Sequence, residues 1–291
     1  MAGYRRMAAI FVMFAMSFCL CDAQPAIDEP LSVGQKTEYR ILAVGNSFSM
    51  DAVEQNLHEL ASAAGYSCEI GNLYIGGCSL ERHVSNAEND AKAYEYRKVN
   101  FKGEHTVRNE TSIREALCDG EWDFVSVQQV SQLSGLYETY AESLPVLLDY
   151  IKKYCPTAEI VFHQTWAYSE NSTHEGFLNY GREQETMYSA IVSASQRAVS
   201  EFGIGRVIPS GTAIQNMRAT SVGDNLNRDG FHLNELGRFT AACTWFEAIF
   251  ERDVRDNGYE NRSLDACEQR LAKLAAHAAV ENPYSVTTVT E

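Results

Sequence analysis

Two segments far apart in the chain carry the residue types that nucleophilic catalysis needs. Ser47 follows Gly45 and an apolar run at residues 39–44, and Asp229 precedes His232 by three residues. A serine hydroxyl is a weak nucleophile at neutral pH, so it needs an adjacent base and a group that orients the base. An isolated Asp-x-x-His is usually an ordinary polar loop. Together with the serine, the pair predicts acyl transfer, with Ser47, His232 and Asp229 as the catalytic residues.

The elements that must position these residues alternate along the chain. Short apolar, β-branched runs recur at residues 39–44, 68–73, 122–127, 159–162 and 205–208, and helical patterns separate them. Strands that alternate with helices form a parallel sheet covered on both faces. We therefore predict an α/β fold, a three-layer α/β/α sandwich around a parallel sheet of about five strands, of the flavodoxin-like type.

The helical patterns have recognisable ends. Apolar residues at spacings of three and four predict helices from Ser47 to a C-terminal glycine at Gly65, and over residues 140–154, 180–202 and 264–277. Asn234 is a suitable cap for a helix with an apolar stripe, which we assign to the core. Residues 79–111 show no clear period and predict an insertion over the carboxyl ends of the strands, where open parallel sheets bind ligands.

The N-terminus has the pattern of an export signal. Arg5 and Arg6 precede an apolar run at residues 7–20 and a small residue at Ala23. This predicts a signal peptide at residues 1–23, one domain at residues 24–291, and a periplasmic or extracellular location. A lipid anchor at Cys19 or Cys21 is the less favoured alternative, because bulky residues precede both cysteines. No later apolar segment approaches the roughly 18 residues of a membrane span, so membrane insertion is not expected.

Charge and cysteine content restrict partners and cofactors. The net charge of −15 argues against nucleic acid as a partner. Neither a close Cys/His cluster nor an acidic calcium loop is present, so we predict no metal and no cofactor. Six cysteines follow the predicted leader and leave the disulfide pairing open: Cys68, Cys78, Cys118, Cys155, Cys243 and Cys267.

Three motifs resemble those of the SGNH/GDSL hydrolases. Residues 45–49, Gly-Asn-Ser-Phe-Ser, are similar to the first block of that family, and residues 74–78 to the second; Asp229 and His232 match the fifth. The resemblance implies a nucleophile at Ser47 and an oxyanion hole that uses the backbone N–H groups of Ser47 and Gly77. The whole pattern looks closest to a bacterial branch catalogued as a domain of unknown function, seen in secreted proteins of gut Bacteroidetes.

The third block departs from the family pattern. An asparagine is usual there, and this chain has Gln128 and Gln129 instead. A glutamine amide is also an N–H donor, so either residue is a candidate for the oxyanion hole, and the sequence leaves open which one faces the site. In the first block Asn46 replaces an aspartate that does not orient the base.

The end of the fourth predicted strand is rich in polar and aromatic residues. His163, Gln164, Trp166 and Tyr168 are candidates for an acyl or sugar pocket, although Trp166 and Tyr168 suit a role in covering the sheet equally well. His83 is expected in a solvated loop.

These features predict a secreted serine esterase that acts on an O-acylated, best guessed as O-acetylated, carbohydrate or small-molecule ester. The alternatives are an acyltransferase on the same residues and a catalytically silent carbohydrate-binding protein.

Overall fold

A computed structural model describes residues 36–290, which lie within one compact unit. The predicted leader, with Cys19 and Cys21, lies outside the described residues, so export stays a prediction. Within residues 36–290, no helix is long and apolar enough to cross a membrane.

The centre of the molecule is a seven-stranded sheet in the order β4-β3-β2-β1-β5-β6-β7. Five strands are parallel and confirm the five predicted runs: β1 (Glu38–Gly45), β2 (Ser67–Tyr74), β5 (Phe124–Val127), β6 (Glu159–His163) and β7 (Arg206–Ile208). The register places Gly45 beside Tyr74 and Val44 beside Val127. The carboxyl ends of these strands therefore meet at one edge of the sheet, and Ser47 follows that edge directly.

The segment 79–111 differs from the prediction. It forms a helix, α3 (Leu80–Glu88), and a hairpin of β3 (Tyr94–Val99) and β4 (His105–Thr111) that adds two antiparallel strands beside β2. Most of this segment therefore extends the sheet sideways instead of covering the carboxyl ends. Tyr94 and Tyr96 are buried on the hairpin, which explains the aromatic residues in a stretch without a helical period.

Helices cover both faces of the sheet, which confirms the three-layer sandwich. The other α-helices within residues 36–290 are α1 (Ser47–Val53), α2 (Leu57–Ala63), α4 (Ile113–Leu117), α5 (Glu138–Ala141), α6 (Leu144–Tyr154), α7 (Gln184–Glu201), α8 (Ser210–Arg218), α9 (Glu235–Phe250) and α10 (Ala266–Glu281). Successive residues of a strand face opposite sides. Ile41 and Ala43 accordingly lie in a core with α1, α2, α8, α9 and α10, and Leu42 and Val44 in a core with α3, α4 and α6.

The predicted helix from Ser47 to Gly65 is interrupted. Asn56 has a φ of 66° and separates α1 from α2, and its side-chain oxygen accepts hydrogen bonds from Tyr259 (3.1 Å) and Asn261 (2.9 Å). The break is thus fixed by residues about two hundred positions away. A second predicted helix, at residues 140–154, is likewise divided into α5 and α6.

Two other helix ends match the sequence. Gly65 has a φ of 81° just after α2, as expected of a C-terminal glycine. Asn234 caps α9 through a hydrogen bond from Gly237 N–H (3.0 Å), and α9 is buried on most of its surface.

Candidate active site

The first turn of α1 is shaped by Asn46, the residue before Ser47. The Asn46 side-chain oxygen accepts from Phe48 N–H (3.0 Å), and Asn46 also forms a capping box with Ser49, in which Asn46 N–H donates to Ser49 Oγ (3.0 Å). Ser47 is the first residue of the helix and only partly buried. A backbone N–H at this position has no acceptor within its own helix. The Ser47 hydroxyl and amide therefore lie together at the sheet edge.

Asp229 and His232 form a hydrogen-bonded pair, as their spacing suggested. His232 Nδ1 lies 2.7 Å from one Asp229 oxygen, and His232 N–H donates to the other (2.8 Å). Partial burial acts to raise the pKa of the Asp229 carboxyl, but hydrogen bonds from His232 and Phe231 outweigh it and hold the pKa below its usual value. A carboxylate beside Nδ1 keeps the proton on that nitrogen and leaves Nε2 free to act as a base.

Aromatic contacts hold this pair against the start of α1. The Phe48 and Trp166 rings stack with 4.2 Å between centroids, and the Trp166 indole N–H donates to Phe231 O over 2.8 Å. The His232 ring lies 6.1 Å from the Phe48 ring, centroid to centroid. The structure therefore brings the helix that carries Ser47 and the loop that carries His232 into contact, although Ser47 and His232 are 185 positions apart in the sequence.

Gly77 lies on a turn beside this helix start. It is exposed with a φ of 64°, and a side chain built there would meet no atom within 4 Å. The next residue, Cys78, accepts a hydrogen bond from the Asn46 side-chain amide (3.0 Å). This bond ties the second sequence block to the first and leaves the Gly77 backbone open to a ligand.

The two glutamines of the third block are both buried in hydrogen-bond networks, so the predicted side-chain donor requires correction. Gln128 Nε2 donates to Asn46 Oδ1 (2.9 Å), and Gln128 Oε1 lies 2.8 Å from His163 Nδ1. Gln129 Oε1 accepts from the N–H groups of Leu80 and Val130, both at 2.9 Å. Gln128 supports the Asn46 cap, and Gln129 anchors the start of α3. Both residues are buried, and Gln129 Nε2 donates to Thr139 Oγ1 (2.9 Å), so each amide nitrogen has an acceptor inside the protein.

His163 and Gln164 also lie behind the site instead of lining a pocket. Both are completely buried. His163 Nε2 lies 3.1 Å from Ser210 Oγ, and burial lowers the pKa of His163 to about 3. Gln164 Oε1 accepts from Thr212 N–H and Thr212 Oγ, both at 3.0 Å. Both residues were predicted to line an acyl or sugar pocket because they follow a strand end, but their side chains point into the protein.

Trp166 and Tyr168 lie in the core, which was the alternative to a place in the pocket. Both are fully buried, and Tyr168 OH lies 2.8 Å from Ser131 Oγ. Trp166 contributes to the site indirectly, through its stacking on Phe48 and its bond to Phe231 O.

His83 was expected in solvent, and the structure buries it completely on α3. Its Nδ1 lies 2.8 Å from Tyr94 OH, and burial lowers the pKa of His83 to about 3. The hairpin that covers it was not apparent from the sequence.

His174 is a site residue that sequence reasoning missed. Its ring packs 4.8 Å from the Phe231 ring and 5.0 Å from the Tyr168 ring, centroid to centroid. His174 Nδ1 accepts from Gly176 N–H (3.0 Å), so a neutral His174 carries its proton on Nε2. Partial burial is the main cause that lowers the pKa of His174, and the nearby His232 lowers it further. It lies on an irregular loop without a motif, and only folding places it beside His232.

A polar cleft of about 490 Å³ is lined in part by the turn that contains Asp229 and Gly230. Its lining is rich in amides, hydroxyls and carboxylates, contributed by Ser169, Asn171, Thr173, Asp224, Asn225, Asn227, Arg228, Asp229, Gly230 and Asn234. Such a surface suits a hydroxyl-rich ligand better than a long acyl chain.

The six cysteines of the described residues are all free thiols in this structure. Among residues 36–290, one group of potential metal ligands, Glu247, Asp253 and His277, places its ligand atoms within 4.8 Å of one another. His277 Nδ1 pairs with Glu247 (2.7 Å), and Arg255 pairs with Asp253. The group lies near the end of α9 opposite Asn234, away from Ser47.

Residues 40–279 match the family described as Domain of unknown function (DUF4886). The chain belongs to this family. A DUF4886 family protein from Bacteroides uniformis, of known crystal structure, is 50% identical, with 87% of this chain and 98% of that chain covered and a TM-score of 0.86. This finding confirms the predicted membership in a branch catalogued as a domain of unknown function.

A more distant structural match comes from Parabacteroides merdae. That protein, described as a GDSL-like lipase, is 17% identical, with 75% of this chain and 98% of that chain covered and a TM-score of 0.50. The likeness confirms the predicted SGNH/GDSL-type fold for the DUF4886 chain. A search of curated proteins found no significant match.

Proposed function

We propose that this protein is an exported serine ester hydrolase of the SGNH type. The observation that carries the proposal is the 2.7 Å pairing of His232 with Asp229, packed against the helix that begins at Ser47. This arrangement supplies a nucleophile, a base and a group that orients the base. Export rests on the signal-like pattern at residues 1–23.

In the proposed reaction, Ser47 Oγ attacks the ester carbonyl carbon while His232 Nε2 takes the hydroxyl proton. The bond between the carbonyl carbon and the alcohol oxygen then breaks, and His232 returns the proton to the leaving alcohol. Water attacks the acyl-enzyme by the same route and releases the acid and free Ser47. Asp229 holds the imidazole orientation and stabilises its charged form.

The oxyanion hole in this proposal consists of backbone groups. Ser47 N–H lacks an acceptor within its helix, and the exposed Gly77 turn is tied to the same cap by Cys78 O. Gln128 contributes to this hole indirectly: it donates to Asn46, the cap of the helix that begins at Ser47, instead of donating to the substrate.

The proposed substrate is an O-acylated carbohydrate, with a small acyl group such as acetyl. The polar cleft beside Asp229 supports this choice, since its amides and hydroxyls are suitable partners for sugar hydroxyls. The burial of Trp166 and Tyr168 removes both residues as lining for an acyl or a sugar pocket, so the choice of substrate depends on the polar cleft.

One observation favours a second candidate, a catalytically silent carbohydrate-binding protein. The amide nitrogens of both third-block glutamines donate to groups inside the protein, so neither glutamine takes the place of the family's asparagine as an oxyanion donor. The polar cleft would serve such a protein equally well.

The deciding experiment combines a fluorophosphonate probe with turnover of p-nitrophenyl acetate and acetylated xylo-oligosaccharides. We expect wild type to be labelled at Ser47 and to release acetate, and Ser47→Ala to lose both properties while its fold is retained. Ser62→Ala is the matched control, because Ser62 is an exposed serine on α2. A wild-type protein that binds the oligosaccharides without labelling or turnover would establish the silent alternative.

A further inference from the structure

A completely buried carboxylate connects α1 to the loop that carries Asp229 and His232. Asp51 lies on α1 one turn after Ser47, and its side chain has no exposed surface. It accepts hydrogen bonds from Leu233 N–H (2.9 Å), Arg228 Nη1 (3.0 Å to each oxygen) and Arg238 Nε (2.9 Å). Asp51 is therefore bound both to the loop and to α9, which carries Arg238.

The partners of Asp51 bracket the proposed catalytic pair. Arg228 directly precedes Asp229, and Leu233 directly follows His232. The loop is closed on itself as well, because Arg228 N–H donates to His232 O (2.9 Å) and the Arg228 guanidinium donates to Leu233 O. Hydrogen bonds therefore join the two ends of the segment from Arg228 to Leu233, and Asp51 accepts a hydrogen bond from each end.

The spacing on α1 makes this connection direct. Ser47 and Asp51 are four residues apart on one helix, so their separation along the axis is about 6 Å and is fixed by the backbone. A change in the Asp51 contacts would shift His232 relative to Ser47. A shift of about 1 Å in a catalytic geometry can lower turnover by about 10²-fold.

We propose that Asp51 is a positioning residue that sets the place of His232 relative to Ser47. This inference rests on the proposed serine hydrolase function. The carboxylate contacts two guanidinium groups and one backbone N–H, and it acts on the reaction through the loop they hold. The structure thus assigns it a role in the rate of acylation and none in contact with the substrate.

Asp51→Asn is the informative change, and Glu54→Gln is its matched control. Glu54 is the next acidic residue along the chain, at the C-terminal cap of α1, and it is also largely buried and paired with an arginine, Arg97 (2.8 Å). Its partners are Arg97 and Asn72, which lie on β3 and β2, so it has no contact with the His232 loop. Both changes neutralise a carboxylate that is buried or largely buried and paired with arginine, Arg228 and Arg238 for Asp51 and Arg97 for Glu54. Only Asp51→Asn removes a contact to the loop that carries His232.

We expect Asp51→Asn to lower kcat about 10²-fold with KM changed less than about threefold, and to slow fluorophosphonate labelling by a similar factor. Glu54→Gln should lose thermal stability to a similar degree and keep its kcat. A structural role alone would lower the melting temperature of both variants and spare the kcat of both. Equal kcat values for Asp51→Asn and Glu54→Gln would overturn the positioning role.

Two further measurements keep the outcomes distinct. Wild type that is not labelled at Ser47 overturns the proposed hydrolase function, and the positioning role with it. Labelled wild type with equally fast labelling of Asp51→Asn overturns the positioning role alone. If Asp51→Asn does not fold, Arg228→Gln provides the same test, since Asp51 then keeps the Arg238 and Leu233 bonds; a kcat equal to that of wild type would reject the inference.

Discussion

Gln128 Nε2 donates a hydrogen bond to Asn46 Oδ1 over 2.9 Å, which joins the end of β5 to the cap of α1. Gln128 Oε1 continues the connection to His163, and His163 Nε2 continues it to Ser210 Oγ. Four side chains from four segments thus form one buried chain of hydrogen bonds behind Ser47. Buried networks of this kind hold a unique arrangement as long as each member keeps its partner.

Gln128→Ala should destabilise the protein by about 1–3 kcal/mol, because it leaves His163 Nδ1 without its partner in the core. Gln129→Ala should destabilise the protein by a similar amount, because it removes the acceptor for the N–H groups of Leu80 and Val130. We expect a moderate fall in kcat for Gln128→Ala alone, since only Gln128 contacts the Asn46 cap. Urea unfolding and ester turnover measure the two effects. A loss of 10²-fold or more in turnover without any loss of stability would restore a glutamine as the oxyanion donor.

Ser47 and His232 should behave as one catalytic unit. Ser47→Ala and His232→Ala should each lower kcat/KM for p-nitrophenyl acetate by several orders of magnitude, and the double variant should be little worse than either alone. The reason is that a base without its nucleophile has nothing to activate. Independent, multiplicative losses would contradict a shared mechanism.

Gly45→Ala should be poorly tolerated at the junction of β1 and α1. A Cβ there would lie 2.8 Å from Ser49 Cβ and 3.2 Å from Gln128 Cδ. Overpacking of a buried site costs about 1–3 kcal/mol, and the displaced helix start would carry Ser47 with it. We expect a lower melting temperature and lower turnover. Gly205→Ala is the control, because a Cβ at Gly205 meets no atom within 4 Å; equal behaviour of the two variants would refute the prediction.

Stability should fall as the pH drops below the usual range of histidine. Burial lowers the pKa values of His163 and His83 to about 3, so both are neutral when folded. The unfolded chain binds these protons near pH 6.5, which makes the free energy of unfolding increase with pH between about 3 and 6.5. Each histidine contributes at most about 1.4 kcal/mol per pH unit.

His163→Asn should lower the slope of the free energy of unfolding against pH by at most about 1.4 kcal/mol per pH unit, because it removes one group that takes up a proton on unfolding. The asparagine amide keeps a hydrogen-bond donor to Gln128. Urea unfolding at pH 5, 6 and 7 measures the slope of both proteins. Identical slopes for wild type and His163→Asn over this range would show that His163 does not take up a proton on unfolding.

Much of the framework followed from local patterns. The five parallel strands could be predicted because strands that are buried on both faces are continuous apolar runs in the sequence. The helix ends at Asn234 and Gly65 could be predicted because each depends on residues close by in the sequence. The pairing of Asp229 with His232 was also local, since three residues of spacing and a glycine bring the two side chains together.

The contacts between distant segments were decided by the tertiary structure. In the sequence Asp51 is an ordinary acidic residue on a helix, and only folding surrounds it with Arg228, Leu233 and Arg238. Gln128 has the right chemistry for an oxyanion donor, but its direction depends on Asn46 and His163, which lie 82 and 35 residues away. Sequence patterns report which chemical groups are present and which face a regular element buries, whereas the partner of a buried polar group depends on how separate elements pack.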